Sequence, residues 1–163
     1  VVEASLEYDN PLIHNRSIHH GLEDTLGLFT TQLNPQIEVR RVYDRSLPQI
    51  LAFGGELNQV WTSLIDNAIA AIADQGVLEI STCREADHLR VEVIDSGAGI
   101  PTDIQSRIFE PFFTTKPVGS GSGLGLDAVR RIVENRHHGT ITFDSKPGRT
   151  RCTVYLPISP PTT

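Results

Sequence analysis

Apolar residues recur at helical spacing near the start of the chain and then begin to alternate with polar ones. The first pattern predicts a helix over residues 13–33, which Asn34-Pro35 would end. Residues 37–43 alternate between apolar and polar side chains, and residues 47–52 form a short apolar run before Gly54-Gly55, so both stretches predict strands. The apolar positions of the predicted helix are Ile18, Leu22, Leu26 and Phe29.

The strongest periodic pattern lies in the middle of the chain. Residues 57–74 carry an apolar stripe at helical spacing and are followed by Gln75-Gly76, a glycine that stops a helix. Strands are predicted at 77–84 and 89–95, and their short polar connection favours an antiparallel hairpin. The remaining predicted elements are a short helix at 103–109, a last helix at 123–138, and a final hairpin of strands at 140–144 and 150–157.

This order of elements predicts an α+β fold of two layers, with helices on one face of a mixed, mostly antiparallel sheet. Residues 1–34 are expected to form a linker and a lead-in helix. Residues 35–158 are expected to form one domain, and the proline-rich residues 159–163 a loose tail.

Composition and charge exclude several classes of function. The chain has 20 acidic and 14 basic residues, and its formal charge of −6 argues against binding to a nucleic-acid backbone. No apolar stretch approaches the roughly 18–20 residues that span a bilayer, so we expect no membrane contact. Cys83 and Cys152 make neither a disulfide framework nor a metal quartet, which favours a reducing cytoplasm. Because methionine is absent, we expect a piece of a longer protein.

Asp95 is the most informative single residue. Period two places it on the same strand face as the apolar Leu89, Val91 and Val93, so its carboxylate is expected to point inward. Burial of a carboxylate is costly without a hydrogen-bonding partner. Alone, the residue could simply end a strand before a turn. The glycines in residues 95–101 favour a ligand instead, because they let the backbone approach a flat molecule closely.

A second glycine cluster occupies residues 119–125, directly before the last predicted helix. Such a loop supplies free N–H groups and a positive dipole end for phosphates, although by itself it is equally consistent with a flexible linker. Between the two clusters, residues 108–116 gather three phenylalanines in a loop. These phenylalanines either pack the loop against the core or belong to a lid, expected over residues 109–122, that closes on a ligand.

The helix predicted at 57–74 carries a polar stripe of Gln59, Ser63 and Asn67 beside its apolar one. The stripe could be a solvated helix edge. Asn67, however, has apolar neighbours on both sides, so its amide needs a partner. A magnesium ion on a triphosphate would be one, since hard cations take oxygen ligands.

Four motifs, in this order, resemble those of the histidine-kinase ATP-binding domain of the GHKL superfamily. Residues 64–68 resemble its N box, 95–99 its first glycine box, 109–113 its F box and 121–126 its second glycine box. Thr150, after Pro147-Gly148, resembles the threonine that helps to hold adenine. The resemblance extends over about residues 37–157.

The resemblance implies the Bergerat ATP-binding fold, with ATP and Mg²⁺ as cofactors. Asp95 would accept a hydrogen bond from the adenine amino group, Asn67 would coordinate Mg²⁺, and Lys116 would reach the terminal phosphate. The partners implied are a phosphoacceptor and dimerisation domain and, indirectly, a response regulator. The implied nucleotide-binding residues are Asn67, Asp95, Gly97, Gly99, Ile100, Lys116, Gly121, Gly123, Leu124, Gly125 and Thr150.

Three departures from the family pattern bear on activity. Ser63 stands where the family's ATPases carry a glutamate general base, which disfavours hydrolysis. Ala70 stands where many kinases place a basic phosphate contact. In the family's phosphoacceptor box an acidic residue directly follows the histidine, whereas Gly21 follows His19 and His20 here. We therefore expect no phosphoacceptor histidine in this chain. The remaining histidines show no metal-ligand spacing and are expected to face solvent: His14, His88, His137 and His138.

The function expected from these features is the catalytic domain of a two-component sensor histidine kinase, which donates phosphate to a histidine on a separate domain. One alternative is a nucleotide-sensing pseudokinase, which would bind ATP without transferring phosphate. A second is a GHKL ATPase of the gyrase, mismatch-repair or chaperone type, which the serine at position 63 disfavours.

Overall fold

The computed structural model describes residues 13–29, 35–111 and 125–158. The predicted loose tail and the first twelve residues lie outside this part of the chain. In the described residues, β1 is followed by helix α1, strands β2 and β3, helix α2, strands β4 and β5, helix α3, and strands β6 and β7. The strands are β1 (Ile13–Arg16), β2 (Ile37–Val42), β3 (Ile50–Phe53), β4 (Gly76–Glu85), β5 (His88–Asp95), β6 (Thr140–Lys146) and β7 (Arg149–Pro157).

Five of these strands form one mixed sheet in the order β2-β4-β5-β7-β6. β2 and β4 run parallel, while the other neighbours in the sheet are antiparallel. Burial alternates along β4, β5 and β7, so one face of the sheet is covered and the other is partly exposed. The predicted mixed, mostly antiparallel sheet is confirmed.

The helices α1 (Ile18–Phe29), α2 (Gly54–Ile72) and α3 (Leu126–Arg131) cover one face of the sheet, and a π-helical turn, Ile132–Arg136, continues α3. Helix α2 forms because its apolar residues recur every three or four positions and share one buried side. Its core residues, including Val60, Trp61 and Ile65, pack with Val91 and Val93 of β5 in one hydrophobic cluster. None of the described helices is long and apolar enough to cross a membrane.

Three predicted elements differ from those of the structure. Residues 13–16 form β1, which pairs antiparallel with β3, whereas a single helix was expected from residue 13. Gly54-Gly55, expected to end a strand before the helix, form the first turn of α2. The short helix expected at 103–109 is reduced to one 3₁₀ turn, Gln105–Arg107.

The expectation that His137 faces solvent is also wrong. Its imidazole is buried, with 7% of the residue exposed, at the end of the π-helical turn. Nδ1–H donates to the backbone oxygen of Ile132 over 2.9 Å, and Nε2 accepts from the backbone N–H of Phe53 over 3.0 Å. Because both ring nitrogens are used, this histidine packs like a core residue. His138, next in the chain, is exposed.

Candidate functional site

Asp95 ends β5 on the covered face of the sheet, as the alternation of its strand predicts. Only 5% of the residue is exposed. Its Oδ1 accepts a hydrogen bond of 2.9 Å from the backbone N–H of Gly97, and no group in the described residues donates to Oδ2. Burial raises the pKa of the Asp95 carboxyl, and the bond from Gly97 lowers it to a lesser extent. One carboxylate oxygen is therefore left to accept a hydrogen bond from a ligand.

The loop after Asp95 is wedged between helix α2 and the β6–β7 hairpin, and two glycines make this possible. A Cβ on Gly97 would lie 2.4 Å from the backbone oxygen of Ala71, and a Cβ on Gly99 would lie 2.6 Å from that of Lys146. Gly99 also has a φ of +88°, in the region that side chains rarely adopt. Gly97 O accepts the N–H of Gly148 over 3.0 Å. The first glycine cluster is thus required by close packing.

Thr150 is the cross-strand partner of Asp95 between β7 and β5 and is itself buried. Its hydroxyl oxygen lies 2.7 Å from Oγ of Ser145, which also accepts the backbone N–H of Ile100 over 2.7 Å. The structure therefore links two of the predicted site residues, Ile100 and Thr150, through Ser145, which none of the sequence motifs includes. The hairpin turn at Pro147-Gly148 was the available signal, since it pairs position 145 with position 150.

Asn67 lies on helix α2, one turn before the residue that packs on Gly97. It is half-buried, and among the described residues no group hydrogen-bonds to its side-chain amide. Ser63, one turn earlier, is buried. One helical turn rises about 5.4 Å, so the Asn67 position lies close to the glycine loop that begins after Asp95.

A hard divalent cation fits this amide. Among the described residues, no group of three or more His, Cys, Asp or Glu side chains could hold a metal on its own. Mg²⁺ usually keeps few protein ligands and takes the remaining oxygens from phosphates and water. The amide oxygen of Asn67, without a hydrogen-bond partner in the described residues, is a suitable single protein ligand of that kind.

Helix α3 begins directly after the second glycine cluster. Gly125 is its N-cap residue, and no side chain caps the helix there. The backbone oxygen of Gly125 accepts the N–H groups of Ala128 and Val129. The other predicted phosphate contacts lie outside the described residues: Lys116, Gly121, Gly123 and Leu124.

Phe109 is the one phenylalanine of the F box within the described residues, and it packs on the domain. Its ring lies 5.6 Å from that of Phe143 on β6, and the guanidinium of Arg130 on α3 lies 5.3 Å from its centre. A cavity of about 550 Å³ lies beside this contact, between Phe109 and Pro111 on one side and α3 with its π-helical turn on the other. The cavity is lined by Phe109, Pro111, Asp127, Arg130, Arg131, Glu134 and Asn135.

The family model described as histidine kinase-, DNA gyrase B- and HSP90-like ATPase matches residues 54–160 of the chain. The chain belongs to this family. The match confirms the expected family, and the fold of this member is shared with solved histidine-kinase catalytic domains. The catalytic domain of the histidine kinase ThkA superposes with a TM-score of 0.82 at 28% identity, over 91% of this chain and 97% of that one.

Relatives of this family member include sensor histidine kinases of greater length. The sensory histidine kinase/phosphatase NtrB of Rhodobacter capsulatus is 41% identical over 131 residues, which are 72% of this chain and 36% of that protein. The sensor histidine kinase ZraS of Escherichia coli K12 is 37% identical over 147 residues, or 89% of this chain and 30% of that protein. The chain therefore spans less than half the length of these relatives.

Proposed function

We propose that this chain is the ATP-binding catalytic domain of a two-component sensor histidine kinase, which donates the γ-phosphate of ATP to a histidine on a separate phosphoacceptor domain. The observation that carries the proposal is the buried Asp95 carboxylate, whose Oδ2 has no donor among the described residues. It lies beside a glycine loop in a chain of the histidine kinase-like ATPase family.

In this proposal, Asp95 accepts a hydrogen bond from the adenine amino group and Thr150 contacts the neighbouring edge of the base. Gly97 and Gly99 keep the loop backbone close enough for the base to lie against it, and Ile100 lines the base. A buried carboxylate is selective for a ligand with an N–H donor, because its desolvation is offset only by such a partner.

Asn67 would hold Mg²⁺ through its amide oxygen. The bound ion would supply positive charge that neutralises the phosphates. Gly125 and the first N–H groups of the helix after it would face the phosphate chain, together with Gly121, Gly123 and Leu124. Lys116 would reach the terminal phosphate.

The absence of a glutamate at position 63 favours phosphotransfer over hydrolysis. Ser63 is buried in helix α2, and a serine hydroxyl there cannot act as the carboxylate base that activates water in the family's ATPases. His19, in the lead-in helix, stacks on Tyr43 with ring centres 4.4 Å apart and hydrogen-bonds to Thr82, so its imidazole is already engaged within the domain. The acceptor histidine would therefore come from another domain.

The partners proposed for this domain are the phosphoacceptor and dimerisation domain of its parent kinase and, through it, a response regulator. ThkA has been solved in complex with the response regulator protein TrrA, which supports a partner of this kind. We place the domain in the cytoplasm, since Cys83 and Cys152 are both free thiols.

The test is phosphotransfer in trans. The chain should bind ATP alone, with almost no autophosphorylation and little hydrolysis. Mixed with the phosphoacceptor domain of its parent kinase and γ-labelled ATP, it should place an acid-labile, base-stable phosphate on that domain. Tight ATP binding without transfer to the true partner would identify a nucleotide-sensing pseudokinase, and brisk turnover by the isolated chain would identify an ATPase.

A further inference from the structure

Ser145 on β6 joins a backbone amide to the hydroxyl of Thr150. Its Oγ accepts the N–H of Ile100 over 2.7 Å and lies 2.7 Å from Oγ1 of Thr150. Ile100 belongs to the loop after Asp95, whereas Ser145 lies 45 positions later in the chain. The hydroxyl thus links the glycine loop to the β6–β7 hairpin.

The three polar side chains lie in one row across the sheet. Asp95 pairs with Thr150 between β5 and β7, and Ser145 pairs with Thr150 between β6 and β7. The ionised carboxylate of Asp95 offers only acceptors, and no donor in the described residues reaches its Oδ2. Whether Thr150 offers a donor or an acceptor depends on the direction of its bond with Ser145.

The amide of Ile100 favours one of the two directions. A backbone N–H can only donate, so Oγ of Ser145 is an acceptor in that bond. A hydroxyl that accepts one hydrogen bond becomes a better donor, because bonds in a chain polarise one another in the same sense. The favoured chain therefore runs from Ile100 N–H to Ser145, from the Ser145 O–H to Thr150, and leaves the Thr150 O–H as its last donor.

We infer that Ser145 is a positioning residue that sets base specificity by fixing the Thr150 hydroxyl as a donor beside the Asp95 acceptor. An acceptor next to a donor matches adenine, whose edge presents an amino donor beside the acceptor nitrogen N1. The same pair of groups does not match guanine, whose edge presents a carbonyl acceptor beside an N–H donor. This inference rests on the proposed function, because it requires a purine nucleotide at Asp95.

Gln105 provides an internal control for loop position. Its Nε2 donates to the backbone oxygen of Ile100 over 2.8 Å and reaches that of Ser145 at 3.4 Å. It therefore holds the same loop to the same strand without touching either hydroxyl. Loss of this side chain loosens the loop but does not alter the direction of the hydroxyl chain.

The test compares dissociation constants for ATP and for 1-deaza-ATP, in which a C–H replaces N1. The unsubstituted chain should bind ATP about three- to tenfold more tightly, as expected for one hydrogen bond. Ser145→Ala should reduce this ratio to less than about twofold, because Thr150 is then free to rotate. Ser145→Thr should restore the ratio, while Gln105→Ala should weaken both nucleotides equally and leave the ratio unchanged.

Thermal melting checks that each variant folds, and Ser145→Cys replaces the alanine variant if that one does not, since a thiol is a weak donor and acceptor. A ratio near one in the unsubstituted chain overturns the inference, as does a Ser145→Ala ratio equal to that of the unsubstituted chain. An equal fall in the ratio in Gln105→Ala overturns it too. Failure of the proposed function is distinct, because the unsubstituted chain would then not bind ATP at all.

Discussion

The imidazole of His137 accepts a hydrogen bond from the backbone N–H of Phe53, 84 positions earlier in the chain. This bond joins the end of the helix that follows the second glycine cluster to the start of helix α2, which carries Asn67. The Phe53 ring also meets the His137 ring edge-on at 5.5 Å and lies 3.9 Å below the guanidinium of Arg136. An ion pair of 2.9 Å between Arg136 and Glu56 joins the same two elements, the π-helical turn and the first turn of α2.

The bond predicts that the domain loses stability when His137 is protonated. Burial lowers the pKa of His137, outweighing the bond to Ile132 and the charge of Glu56, while Arg136 and His138 lower it further. As the pH falls, His137 therefore binds a proton at a higher pH in the unfolded chain than in the folded one. The stabilisation is complete above about pH 6.5, the ordinary value, and is lost as the pH falls through the lower pKa of the folded chain.

Chemical denaturation between pH 5 and 8 measures this effect. His137→Ala should cost about 1–3 kcal/mol at pH 7.5, because it removes a buried ring and the two part-buried hydrogen bonds that the imidazole makes with Phe53 and Ile132. The unfolding free energy of this variant should also decrease less steeply below pH 6.5 than that of the unsubstituted chain. His138→Asn is the matched control, since that residue is exposed and its positive φ of 60° suits asparagine. An equal flattening in the control would contradict the assignment.

The parts of the fold that depend on local pattern were predictable, and the parts that depend on distant partners were not. The inward direction of Asp95 follows from period two within β5, and the β4–β5 hairpin follows from a two-residue turn. β1, by contrast, is a strand only because β3 pairs with it. The burial of His137 and the bond from Ile100 to Ser145 join residues far apart in sequence, so no local signal announces them.

Asp95→Asn should separate affinity from stability. The carboxyl of Asp95 has its pKa raised by burial, so its contribution to stability is present below about pH 3.8, the ordinary value, and lost as the pH rises through the raised one. At neutral pH the ionised group destabilises the ligand-free fold, and its removal should leave the melting temperature equal or higher.

ATP affinity should nevertheless fall by about ten- to 150-fold, because the variant lacks the charged acceptor and adds an unwanted donor. Calorimetry measures the affinity, and differential scanning fluorimetry the melting temperature. Asp87→Asn, in the exposed turn between β4 and β5, is the control and should change neither. An unchanged dissociation constant in Asp95→Asn would refute the adenine contact.

Asn67→Ala should remove the dependence of binding on magnesium. The amide oxygen is the proposed metal ligand, so ATP should bind the variant with the same affinity in Mg²⁺ and in EDTA, while adenosine binding stays within about twofold. Gln59→Ala, on the same polar stripe but exposed, should keep the full magnesium effect. Equal losses for adenosine and for Mg-ATP would make Asn67 a residue of the fold and not of the metal site.

Gly97→Ala should damage both the fold and the nucleotide site, because the added methyl meets groups that cannot yield. The new Cβ would lie 2.4 Å from the backbone oxygen of Ala71 and 2.9 Å from its Cβ, both held in helix α2. The loop must then move away from the helix and displace the N–H that Asp95 accepts. We expect a loss of about 1–3 kcal/mol in unfolding free energy and at least a tenfold loss in ATP affinity.

Gly55→Ala is the matched control for this change. It lies in the first turn of the same helix, and its added Cβ would meet nothing within 4 Å. An alanine in a helix costs less conformational entropy than a glycine, so this variant should gain up to about 1 kcal/mol and keep its affinity for ATP. If Gly97→Ala behaved like Gly55→Ala in both measurements, the contact between the glycine loop and helix α2 would not constrain the site. Opposite signs of the two stability changes would show that Gly97 is required by the closeness of Ala71, and not merely tolerated in a turn.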